Sequence, residues 1–176
     1  MNAAAGPFTI AALLLAAGGI AKTLSPGDTT NAIRAIGLPA APLLVRTGGL
    51  LEAALGGVAI ATGARVPAIL VGLSYLAFAA FVSVALRRGT PIATCGCFGK
   101  ADTPPSLVHV AVNIGAAVAA LVIAIDPGDG LADVVRDQPL SGVPYLLLVV
   151  VGTYVAFLAL TLLPRTLALV RRSGTA

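Results

Sequence analysis

The chain has 176 residues, 58% of them apolar and only 10% charged, with a mean hydropathy of +1.00 and a formal net charge of +4. Soluble domains carry about 25% charged residues, so this composition excludes a water-soluble globule and makes lipid the solvent. The excess of basic residues is scattered at segment ends without a basic stripe or aromatic interleaving, which excludes a nucleic-acid partner.

The first apolar run, about Phe8 to Leu24, starts the chain order. No basic residue precedes it, and Lys22 stands near its end where a signal peptide would carry a cleavage pattern, so it is expected to remain as a helix. "SPGD" at Ser25 to Asp28 closes it. The next segment, "DTTNAIRAIGLP", predicts a short amphipathic helix along the membrane surface. Asp28 to Thr30 would cap it, and Ile33 and Ile36 would share a face.

Four more runs are long enough to span a bilayer, which takes roughly 20 residues: Ala40 to Thr62, Val66 to Leu86, Ser106 to Ile125 and Val143 to Leu163. The whole chain, 1–176, therefore reads as a single all-α transmembrane domain. It is a polytopic bundle of about five spans, with a four-helix core and a peripheral fifth. The second span offers Gly49, Ala53 and Gly57, and the fourth Ala111, Gly115 and Ala119, at the spacing that lets helices approach closely. The fifth is mostly Leu and Val, with Thr153 and Tyr154 as its central polar groups. Counting Lys and Arg by side, the deeper Arg46 left out, gives two on the side of the N-terminus (Arg65, Arg136). Eight lie on the other: Lys22, Arg34, Arg87, Arg88, Lys100, Arg165, Arg171 and Arg172. The positive-inside rule then puts the loop at 87–105 on the cytoplasmic side.

Charge inside a span is expensive, so Lys22, Arg46 and Glu52 call for partners or a purpose. At about 1.5 Å per residue, Glu52 lies roughly 14 to 18 Å from the basic side, with Arg46 about 9 Å closer to it. Arg46 and Glu52 are six residues apart and do not face each other, so each should meet a neighbouring helix. His109 and Asn113, four apart, share one face of the fourth span. These polar groups gather in the same half of the membrane as the 87–105 loop.

That loop holds both cysteines of the chain, Cys95 and Cys97, in "TCGCFGK". Two thiolates plus His109 fall short of the four ligands of a closed zinc or cluster site, so no metal is assigned, although copper(I) accepts fewer and softer ligands. A disulfide across one intervening residue is small and strained, made feasible by the backbone freedom of Gly96, and strain makes it labile and suited to exchange. Arg87, Arg88 and Lys100 would favour the reactive thiolate.

The ordered set "GGIAK" at Gly18 to Lys22, "AIGLP" at Ala35 to Pro39, Glu52 and "RRGTPIATCGCFGK", followed by a span with Asn113, resembles the MauE family of methylamine-utilisation membrane proteins, related to the DoxX-like proteins. The similarity covers roughly Phe8 to Ile125, and its most specific element is Cys95-Gly96-Cys97-Phe98-Gly99. The resemblance implies a membrane redox protein of a bacterial-type plasma (inner) membrane that assists disulfide formation or maturation of exported proteins with a thioredoxin-like partner. Cys95 and Cys97 would be its redox pair; Lys22, Glu52 and Asn113 match family positions without a named role. No cofactor is called for with certainty; a quinone is the candidate, with its use and the direction of electron flow left open. The alternatives are a copper-handling membrane protein and a non-catalytic membrane anchor for a redox enzyme. Family work on exported substrates and a charge count that puts the thiols inside pull in opposite directions.

Overall fold

The computed structural model describes residues 3–89, 105–131, 134, 136, 139–164 and 166. Among these the chain is all-helical: α1 (Ala5–Leu24), α2 (Gly27–Ala35), α3 (Pro42–Thr62), α4 (Arg65–Arg88), α5 (Leu107–Ile125) and α6 (Pro139–Thr161). All but α2 are long and apolar enough to cross a membrane. The helices end where backbone chemistry requires it. Pro42 occupies the first turn of α3, where its missing N–H is harmless. Gly63 and Gly89 take left-handed conformations after α3 and α4.

The bundle is organised around α1, which packs against α3, α5 and α6, while α4 packs on α5. Phe8, Ala12 and Leu15 of α1 meet Ala59 of α3, Val71 and Tyr75 of α4, and Ala120 and Ile123 of α5 in one core. The fifth crossing helix, α6, lies on α1 and α5, anchored where Tyr145 Oη and Thr9 Oγ1 are hydrogen-bonded at 2.8 Å. Most of its large side chains, such as Leu147, Val150 and Tyr154, are exposed to the surroundings.

In lipid, apolar burial does not drive helices together, so close approach and hydrogen bonding must. The α1–α3 contact shows how close the approach is. A Cβ on Gly49 would come within 2.6 Å of Gly19 O, and one on Gly19 within 2.6 Å of Ala53 N, so only glycine fits at either position. The expected small-residue stripes hold in part: Gly49 and Ala53 of α3 lie at the α1 contact and Ala119 of α5 is in the core. Gly57 has no neighbour where its Cβ would be, and Gly56 faces α1 in its place; Ala111 and Gly115 of α5 are exposed, and α5 turns Ala117, Ala120 and Ala124 inward. Sequence spacing finds small residues at intervals of four, but two such stripes overlap on an Ala/Gly-rich helix, and the neighbours select one.

The short surface helix exists, with two corrections. It begins at Gly27 with Pro26 as its N-cap, so Asp28 to Thr30 lie inside its first turn and not at the cap position; Thr30 Oγ1 donates back to Pro26 O at 2.8 Å. Its inner face is Ala32 and Ile36, packed on Ala85 and Phe81 of α4, with Ile33 only half-buried. Arg88 Nη1 donates to Ile36 O, fastening the end of α4 to the end of α2. The other end of the bundle is tied by Arg65 Nη2 donating to Ile125 O at 3.3 Å.

Candidate functional site

Lys22 sits in the last turn of α1, where the α1–α3 contact leaves no room for a side chain on Gly19 or Gly49 and its own stem is pressed against α3. The residue is 7% exposed. Its Nζ donates to Glu52 Oε2 at 2.6 Å, and lies 4.4 Å from the centre of the Phe78 ring on α4. The ammonium is thus held by a carboxylate and by the negative face of an aromatic ring, two interactions that strengthen away from water. Phe78 is itself oriented by Tyr75, one turn earlier, whose ring meets it edge to face at 5.9 Å and 85°. Tyr75 is buried, and its hydroxyl donates to Ala11 O at 2.6 Å, linking α4 to α1.

His109 and Asn113 of α5, both buried, complete the ring of polar groups. Ser106, the N-cap of α5, makes no capping bond to the backbone; its hydroxyl is hydrogen-bonded to His109 Nδ1 at 2.9 Å and sets the imidazole plane. Lys22, Glu52, Tyr75, Phe78, His109 and Asn113 all line one cavity of about 40 Å³ between α1, α3, α4 and α5. Holding a water takes roughly 10 to 15 Å³, so this space suits water or a proton path and not an organic substrate.

Four sequence candidates, Lys22, Glu52, His109 and Asn113, are therefore together, contributed by three helices. Arg46 is not among them: it lies on the exposed face of α3, outside the cavity. Cys95, Gly96, Cys97, Phe98 and Gly99, with Lys100, lie outside the described residues. The residues that flank this segment, Gly89 after α4 and Pro105 before α5, belong to the end of the bundle where Lys22 and His109 sit. Phe78 and Ser106 were missed from sequence. Phe78 follows Tyr75 by three residues and so shares its face, a signal that many apolar helices also carry.

Residues 3–126 match the family model described as "Methylamine utilisation protein MauE". No curated protein and no solved structure gives a match. The match spans more than half of the chain, which belongs to the MauE family, and the chain is a multi-pass membrane protein.

Proposed function

We propose that this MauE-family protein exchanges thiol–disulfide equivalents through Cys95 and Cys97, supporting disulfide formation or maturation of partner proteins together with a thioredoxin-like protein at a bacterial-type plasma membrane. The observation that carries the reading is positional. In sequence the chain's two cysteines fall between Gly89 and Pro105, and it is these two flanking residues that lie toward the end of the bundle nearest Lys22 and His109, which line one cavity with Glu52 and Asn113.

In the exchange, a thiolate of one partner attacks a sulfur of the other's disulfide; an S–S bond forms between the proteins and the second sulfur leaves as thiolate. The neighbouring thiolate on the attacking side then closes its own disulfide and releases its partner as a dithiol. Two electrons and two protons move overall, and the reaction runs either way with the relative potentials.

A single-cysteine chain supports only the first half of this exchange. Cys95→Ser or Cys97→Ser, whichever leaves the attacking sulfur, should accumulate a covalent complex with a thioredoxin-like protein on non-reducing gels, and the double variant should lose both adduct and activity. Full function in each single variant without an adduct would overturn the reading in favour of a structural membrane subunit. Metal analysis of purified protein with and without the two cysteines separates it from copper handling.

A further inference from the structure

Helix α3 packs on α1 and α4 packs on α5, so these two consecutive helices diverge, and a second space opens between them below α2. It measures about 390 Å³, within the roughly 300 to 1,000 Å³ of small-molecule sites. Its walls are apolar: Ile33 of α2, Leu38, Leu44 and Gly48 of α3's approach and first turns, and Phe78 and Phe81 of α4. Leu38 and Leu44 are more than half exposed, so the space is open to the side where lipid would lie. The polar groups that reach it include Lys22 and Glu52, the same ion pair that lines the small inner cavity.

The pair decides the charge of the occupant. The ammonium has three N–H donors, and Glu52 Oε2 takes one of them. The carboxylate is the more open of the two, its side chain 20% exposed against 9% for Lys22. The pair is neutral as a unit, so an anionic headgroup would gain the ammonium only at the expense of repulsion by the carboxylate. An uncharged head with a carbonyl to accept from Lys22, or a hydroxyl to donate to Glu52, matches both members. Phe78 and Phe81 add aromatic surface to the wall beside a flat head, and the lateral opening leaves a path for an alkyl tail.

We propose that this cleft binds a neutral, lipid-soluble amphiphile of the quinone–quinol class, with a ring oxygen held at Lys22 and Glu52 and the tail leaving between α3 and α4. Binding stands on the cleft alone. Its use rests on the thiol–disulfide reading: two thiols would give up two electrons and two protons to form the disulfide, and the quinone would take both and become quinol.

The test is photolabelling of the purified full chain in phosphatidylcholine nanodiscs with an azidoquinone, competed by decylubiquinone or by phosphatidylglycerol. Label should appear on residues 33–52 or 77–81 and be displaced by decylubiquinone. Gly48→Leu is the plug variant, because a Cβ at Gly48 meets no atom within 4 Å and so fills the cleft without disturbing a contact. It should lower specific labelling about tenfold or more at an unchanged thermal midpoint; Lys22→Gln, which loses a charged donor, should lower it by a similar factor. The Cys95→Ser, Cys97→Ser chain should label like the parent, which keeps this result separate from the fate of the thiol chemistry. Displacement by phosphatidylglycerol and not by decylubiquinone, or undiminished labelling in Gly48→Leu, would overturn the proposal.

Discussion

Lys22 Nζ and Glu52 Oε2 are 2.6 Å apart, joining the last turn of α1 to the middle of α3 inside the membrane-spanning bundle. Each charge is tolerable there because of the other: Lys22 is buried and Glu52 half-buried, so removing one partner leaves an ion away from water without its counter-charge, a loss that reaches about 3 to 5 kcal/mol in fully buried pairs, whereas removing both is far milder.

Glu52→Leu should therefore destabilise the protein more than Glu52→Gln, which keeps a hydrogen-bond acceptor for the ammonium. The double variant Lys22→Met, Glu52→Leu should recover most of the stability lost by Glu52→Leu alone. Unfolding midpoints of the four chains in detergent measure this directly. Equal midpoints for parent, Gln and Leu chains would make Glu52 a bystander.

The backbone contact between α1 and α3 predicts a sharp contrast between neighbouring glycines. Gly49→Val places its Cβ against Gly19 O and should destabilise by about 1 to 3 kcal/mol or more, as overpacked sites do. Gly57→Val points into open space and should leave the midpoint within about 0.5 kcal/mol of the parent. Thermal or denaturant unfolding of both variants in the same micelle is the check.

Tyr75→Phe removes one hydroxyl that donates to Ala11 O in the core, and should lower stability by about 0.5 to 1.5 kcal/mol. Tyr154, exposed on α6, is the control: Tyr154→Phe should have no measurable effect. A Tyr75→Phe chain as stable as the parent would remove this bond from the account of how α4 is held to α1.

The Arg88 to Ile36 contact ties the end of α4 to the end of α2, so reporters fused after Arg34 and after Gly89 should fall on one side of the membrane, and one fused after Asp129 on the other. Five crossings put a reporter after Arg172 with the first two. Alkaline phosphatase and fluorescent-protein fusions read opposite sides. Reporters after Arg34 and Arg172 on different sides would mean a miscounted helix.

The sequence by itself determined that the chain crosses a membrane and how many times. Run length and turn chemistry suffice for that, because an unsatisfied backbone in lipid is so unfavourable that any long apolar stretch bounded by "SPGD", "TGARVP" or "DPGDG" becomes a helix across it. It also determined which residues were out of place: Lys22, Glu52, His109 and Asn113 are legible as polar groups in apolar runs, without knowledge of their neighbours. What only the tertiary structure decided is who meets whom. Hydropathy is blind to helix rotation when every face is Ala, Gly, Leu or Val, so the choice of Gly56 over Gly57, the exposure of Arg46 and the approach of Phe78 to Lys22 follow from how the helices pack. The partner of Glu52 is thirty residues away on another helix, and a pairing across helices is set by the fit of Gly19 against Gly49; the spacing of Gly49 and Ala53 marks one side of that contact but not the helix it meets.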